Sequence, residues 1–204
     1  MRALMRALHK PIYDSRQRVL VARILRHLRP YDRLLDVGCG SGLLAHAIAS
    51  DPACPAGVQV EGLERYPRSG EPIRVTGYAG GPFPFADNTF DLVVIADVLH
   101  HEPDPHALLD QCARVSKRLL IIKDHQVKGP LAQQRIGLID WAANVGYGVK
   151  CLFTYNTPAQ WQAEIQRLKL TPIEQPPGLD LYPWGLDLLF GGSIQFFCVL
   201  EKPA

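Results

Sequence analysis

Residues 96–106 read ADVLHHEPDPH, which sets His100, His101 and His106 beside Asp97, Glu102 and Asp104. Imidazoles and carboxylates at this density are the donors a divalent metal takes, or the groups that move protons near neutral pH. The spacing argues against the metal: ligands drawn from this stretch straddle a loop and the start of a helix rather than sharing one face, so none is expected. A second cluster, IIKDH, ends in Lys123, Asp124 and His125. An aspartate there can orient and polarise an imidazole, giving a base that titrates near working pH; a loop-capping aspartate beside an exposed histidine is the alternative.

The stretch LLDVGCGSGLLA carries a third kind of chemistry. An apolar run ends in Asp36 and enters Gly38, Cys39, Gly40 and Gly42 just before a helical pattern begins. Glycines let the backbone turn tightly and approach a ligand closely, and a helix start offers free N–H groups. The dinucleotide fingerprint is G-x-G-x-x-G, whereas the spacing here is G-x-G-x-G behind an acid.

These clusters must be positioned by the elements around them. RLLDVG, GVQVEGLE, IRVT, FDLVVIADVL and RLLIIKD read as five strands, with SGLLAHAIAS and PHALLDQCARVS as helices between them. Asp104 and Pro105 mark the start of the second of these helices. LAQQRIGLIDWAANVGYGV is partly helical, with Asp140 and Asn144 one turn apart and so on one face. TPAQWQAEIQRL is a helix capped by Thr157 and Pro158. KLTPIEQ and SIQFFCVLEK close the chain as strands, separated by the loop PPGLDLYPWGLDLLFGG. Alternating strands and helices predict an α/β fold with a doubly wound, mostly parallel seven-stranded sheet, its last strand antiparallel. No repeat or linker interrupts residues 1–204, which are read as a single domain.

Of 204 residues, 47% are hydrophobic and 21% charged, which suits a globular domain rather than a membrane span or a disordered chain. The five cysteines are scattered without a C-x-x-C pair, so neither a disulfide framework nor a zinc ribbon is expected, and a cytoplasmic setting is. Residues 1–30 hold eight Lys/Arg against the single acid Asp14, while the remainder holds fourteen against nineteen. A retained amphipathic helix packed on the domain accounts for this, with Val19, Leu20, Ile24, Leu25 and Leu28 inward and Arg16, Arg23 and Arg26 on other faces. Those arginines are read as a solvated basic face, with peripheral contact to an anionic membrane or substrate as the alternative. The net acidic body disfavours nucleic acid.

LDVGCGSG resembles motif I of the class I S-adenosylmethionine-dependent methyltransferases, and the likeness extends along the chain. Glu64, closing VEGLE, stands where that family places the acid for both ribose hydroxyls. FPFADNTFDLVVIADVLHH is similar to the family's Leu-Pro-Phe, Phe-Asp and post-strand-four blocks in order, and YNTPAQW and SIQFFCVLEK to its late helix and last strand. The resemblance, to small-molecule enzymes with a type 11-like methyltransferase domain, implies S-adenosyl-L-methionine as cofactor. It places Asp36, Gly38, Cys39, Gly40, Gly42, Glu64, Arg65, Ala96, Asp97 and Val98 around that cofactor. One departure stands out: where the family often has Gly-Asp-Ala, this chain has Gly77, Tyr78 and Ala79, so the adenine contact falls to backbone or to Tyr78 or Ala79.

On this reading His125, Asp124 and His101 are the candidate catalytic residues, and transfer to oxygen is favoured because a hydroxyl profits most from a base. Tyr13, Tyr147, Phe153, Tyr155, Tyr182, Trp184 and Phe190 lie outside the core strands and suggest an apolar or aromatic small-molecule acceptor. Two alternatives stay open: a non-catalytic module that binds the same cofactor, and a nicotinamide-dependent oxidoreductase. Either a monomer or a homodimer is compatible with the sequence.

Overall fold

The computed structural model describes residues 2–144 and 151–203. Its elements in chain order are α1 (Arg2–Leu25), β1 (Arg33–Val37), α2 (Leu43–Ser50), β2 (Gln59–Glu64), β3 (Arg74–Gly77), β4 (Phe90–Ala96), a 3-10 turn (Leu99–His101), α3 (Pro105–Val115), β5 (Ser116–His125), α4 (Ala132–Asn144), α5 (Pro158–Leu168), β6 (Thr171–Glu174), α6 (Trp184–Phe190) and β7 (Gln195–Glu201). The seven strands form one sheet in the order β3-β2-β1-β4-β5-β7-β6. The β1, β2, β3, β4 and β5 neighbours pair in parallel, and β7 runs antiparallel to both β5 and β6. The expected fold class is the one found, and the strand order reverses between β1 and β4, where ligands of such sheets bind.

The interiors of the central strands β1, β4, β5 and β7 are largely apolar runs because both faces are covered. Leu35, Val37, Val93, Ile95, Leu120, Ile122 and Phe196 belong to one core, closed by Leu108, Leu109 and Cys112 of α3 and by Trp161 and Ile165 of α5. Leu34, Leu92, Val94, Ile121 and Phe197 belong to the other, closed by Leu20, Val21 and Ile24 of α1 and by Leu44 and Ile48 of α2. Successive strand residues feed opposite cores, as period-two geometry requires. Trp161 stacks on Phe196 with ring centroids 4.1 Å apart, and its indole N–H donates to His125 O at 3.0 Å.

The helix ends follow from local chemistry. Asp104 accepts the Ala107 N–H at 3.0 Å ahead of Pro105. At α5 the Thr157 side chain and Gln160 satisfy each other's backbone N–H groups in a capping box. Helix α6 lies in the segment read from sequence as loop; Pro183 leads into it, and Asp187 Oδ1 folds back to accept the Tyr182 N–H at 3.0 Å. The arginines expected on a solvated face of α1 divide. Arg26 is exposed, but Arg23 pairs with Glu174 at 2.6 Å and Arg16 turns inward to Asp97. All five cysteines are free thiols, and no described helix is long and apolar enough to cross a membrane.

Candidate active site

The site lies at the carboxyl ends of β1, β2, β4 and β5. Gly38, Gly40 and Gly42 all adopt left-handed φ values, between 57° and 72°. At Gly38 the constraint is double: a Cβ would stand 2.5 Å from Val98 Cγ2, so the loop and the segment after β4 touch through a missing side chain. At Gly40 a Cβ would meet nothing within 4 Å, which leaves room beside the loop. Gly42 sits at the N-cap of α2 in the left-handed conformation, with no side chain to cap the helix.

Glu64 ends β2 with Oε2 accepting the Gly40 N–H at 2.7 Å and Oε1 accepting the Tyr66 N–H at 3.1 Å. It therefore holds the loop in place, and each oxygen keeps a second lone pair for a ligand hydroxyl. Asp36 is buried, and its Oδ2 has no hydrogen-bond partner. Burial pushes its carboxyl up to about 7, against the opposing pull of the Arg16 charge. An orphaned buried oxygen beside an open glycine loop fits a ligand that brings a cationic donor.

Cys39 packs its sulfur against Gly62, and burial together with Asp36 and Glu64 pushes the thiol up to about 12, which leaves it unreactive. Arg65 reaches Glu102 at 2.9 Å and lies over the Tyr78 ring, 5.8 Å from its centroid. Tyr78 sets its ring edge-on to Phe83, and Ala79 beside it is exposed. Ala96 ends β4, and Asp97 follows it at φ 57°, a strained conformation for any residue with a side chain. The Asp97 carboxylate accepts from Arg16 Nε at 2.9 Å and from the fully buried Lys123 ammonium. Burial disfavours the Asp97 charge, but Lys123 and then Arg16 hold its pKa well below the usual carboxylate range.

The structure gives Asp124 a different imidazole from the one expected. His100 Nδ1 lies 2.6 Å from Asp124 Oδ1, while His125 offers Asp124 only its backbone N–H, at 2.7 Å. The reason is geometric: adjacent strand residues point to opposite faces, so the Asp124 and His125 side chains diverge. Burial opposes protonation of His100, yet Asp124 beside it prevails and pushes the ring up to about 10. His125 goes the other way; burial and then Lys123 push it down to about 3. It is neutral, with Nε2 facing Asp97 at 3.8 Å and a buried Nδ1 that has no hydrogen-bond partner.

His101 is the most open of these three histidines, and its Nε2 lies 3.5 Å from Asp140 Oδ1. Asp140 is buried in α4, where its Oδ2 accepts the Tyr155 hydroxyl at 2.6 Å. The Tyr155 ring also lies 5.6 Å from that of His100. His106, Glu102 and Asp104 do not join this group. His106 pairs with Glu164 on α5 at 2.7 Å, Glu102 holds Arg65, and Asp104 caps α3.

Of the aromatic residues outside the strands, Tyr155 reaches the site, Tyr182 packs on the core beneath α1, and Tyr13 and Phe153 are exposed. Tyr147 and the side chains of Asn144 and Trp184 lie outside the described residues. Arg16 is the residue that the sequence reading placed elsewhere; the acid-poor start of the chain was its one signal. The Tyr155–Asp140 bond had none.

Residues 12–173 match a family described as a methyltransferase domain. An uncharacterized methyltransferase of Mycobacterium leprae is 32% identical over 114 residues, 52% of this chain and 41% of the relative. A ubiquinone biosynthesis O-methyltransferase of Xanthomonas oryzae pv. oryzae is 27% identical over 167 residues, 74% of this chain and 67% of the relative. The chain thus spans about two fifths of the Mycobacterium protein's length. Among solved structures, the Burkholderia thailandensis 1,6-didemethyltoxoflavin-N1-methyltransferase, with bound 1,6-didemethyltoxoflavin and S-adenosylhomocysteine, superposes with a TM-score of 0.64 at 14% identity. That superposition covers 98% of this chain and 88% of the other, and at such identity the likeness is one of fold.

Proposed function

Because this chain belongs to the methyltransferase domain family, we propose that it transfers a methyl group from S-adenosyl-L-methionine to a small organic acceptor, with oxygen as the acceptor atom. The observation that carries the reading is the left-handed glycine loop at the sheet's reversal point, open at Gly40 and backed by the orphaned Asp36 Oδ2.

The residues that would hold the cofactor follow from their chemistry. Glu64 has lone pairs for a ribose diol, Asp36 is an acceptor for an ammonium, and Arg16 is a cation for a carboxylate. Cys39, Ala96, Asp97 and Val98 wall the loop, while Arg65, Tyr78 and Ala79 border the adenine side. When bound, S-adenosyl-L-methionine supplies a methyl group already activated on a sulfonium.

What the chain adds is alignment and proton handling. His125 is unprotonated at working pH and is assigned as the group that accepts a hydrogen bond from the acceptor. With its proton on Nε2 toward Asp97, Nδ1 is the accepting atom. Asp124 acts as a positioning residue through His100, and His101 borders the acceptor from the open side. The name of the Xanthomonas relative supports oxygen as the acceptor atom.

Incubation with methyl-labelled cofactor and a small-molecule extract tests the reading. One compound is expected to gain label on oxygen, and His125→Ala to lower turnover more than cofactor affinity. Absence of any labelled compound would count against methyl transfer, and equal losses of turnover and affinity would make His125 structural.

A further inference from the structure

We infer that His100, His101 and Asp140 form a binding site for a borderline divalent metal ion of the zinc class, assembled between the turn after β4 and helix α4. One donor atom from each side chain lies within 4.8 Å of the others. Asp140 Oδ1 faces both imidazoles, 3.6 Å from His100 Nε2 and 3.5 Å from His101 Nε2. These separations are longer than a strong hydrogen bond. They are close to the roughly 3.4 Å that separates two donors each about 2.0–2.1 Å from a tetrahedral ion.

The outer contacts point the same way. A histidine that binds a metal usually donates its second ring N–H to a carboxylate, which fixes the tautomer and turns the other nitrogen to the ion. Asp124 accepts this bond from His100, at 2.6 Å from Nδ1, and is itself fixed by the Leu99 and His125 N–H groups at 3.1 and 2.7 Å; the ion takes the place of the Nε2 proton, which is released on binding. Tyr155 does the equivalent for Asp140, occupying Oδ2 at 2.6 Å, while Oδ1, which also takes the Cys151 thiol at 3.5 Å, faces the histidines. The two rings lie 4.1 Å apart in a tilted arrangement, each with its Nε2 near the same Asp140 oxygen.

Two imidazoles and one carboxylate suit zinc, cobalt(II) or iron(II) better than magnesium or calcium, which take oxygen donors. Three protein donors leave a fourth position for water or a ligand oxygen, the pattern of a catalytic rather than a structural ion. His100 and Asp140 are buried, whereas the partly exposed His101 gives the ion a way in. The site shares His100 and His101 with the sequence cluster at 96–106, but its third member comes from forty residues downstream.

Zinc and cobalt(II) alone are the probes, titrated into tag-free chelator-treated protein without cofactor or acceptor, so the result is independent of the methyl-transfer reading. One equivalent of cobalt(II) is expected, with the visible ligand-field bands of a tetrahedral site, and zinc should displace it. His101→Ala and Asp140→Asn should each lose 100-fold or more in affinity. Asp124→Asn should lose about 10–100-fold, as outer partners of metal ligands do, and His106→Ala should bind as wild type does. Thermal melts would show that each variant is folded. Folded wild-type protein that takes up less than one equivalent, or variants at 101 and 140 that bind as wild type does, would overturn the inference. In either case the cluster would be an ion-pair network alone.

Discussion

Asp36 concentrates the chemistry of the site in one carboxyl group. A carboxyl whose folded pKa is raised, here to about 7, favours the fold when protonated. Its contribution is full below the unfolded value of about 4 and is lost as pH rises through the folded value. Asp36→Asn should therefore melt above wild type near pH 8, and the gap should close below about pH 5; a pH-independent difference in melting temperature would contradict this. The same variant should bind S-adenosyl-L-methionine at least tenfold more weakly, since the ammonium loses a charged acceptor. Lys123 poses the opposite problem, a fully buried cation that Asp97 neutralises. Lys123→Met should cost about 3 kcal/mol or more in urea unfolding, as removal of one partner from a buried pair does. At this scale the sequence was legible for residue types but not for pairings. Asp124 and His125 are chain neighbours, yet strand alternation separates their side chains, and Asp124 takes a ring 24 residues away instead.

Among the elements, the loop between β1 and α2 divides its work between fold and ligand. Gly38→Ala meets both a positive φ and the Val98 side chain, so it should destabilise the protein by more than the 1 kcal/mol or so of backbone strain. Val98→Ala should restore part of that loss. Gly40→Ala meets only the strain, so it should fold nearly as well as wild type while losing cofactor affinity, because the methyl enters the space beside the loop. Equal effects of the two substitutions on stability and binding would contradict this division. The central strands were readable because burial on both faces makes them largely apolar runs, and α5 because its capping box is local. Helix α6 was not, because its proline- and glycine-rich flanks carry the signals of a loop and its placement depends on the Asp187 contact.

For the whole molecule, α1 ties the two halves of the sheet to the site. Arg23 of α1 and His27 in the turn after it hold Glu174 on the edge strand β6, at 2.6 and 2.8 Å, while Arg16 holds Asp97 at the mouth of the central strands. Glu174→Gln should therefore lower stability alone, whereas Arg16→Met should also weaken cofactor binding. Fold class and glycine loop could be read from sequence because each is written in contiguous residues. The Arg16–Asp97 contact spans 81 positions, and the approach of Asp140 to His100 and His101 needs α4 brought back to the turn after β4, so neither has a local signature. The central claim is that this loop holds S-adenosyl-L-methionine. Titration calorimetry with S-adenosyl-L-methionine, S-adenosylhomocysteine and NAD tests it most directly. Binding of the first two without the third, weakened at least tenfold by Glu64→Ala, is the expected result; binding of NAD with neither of the others, or an unchanged affinity in Glu64→Ala, would contradict it.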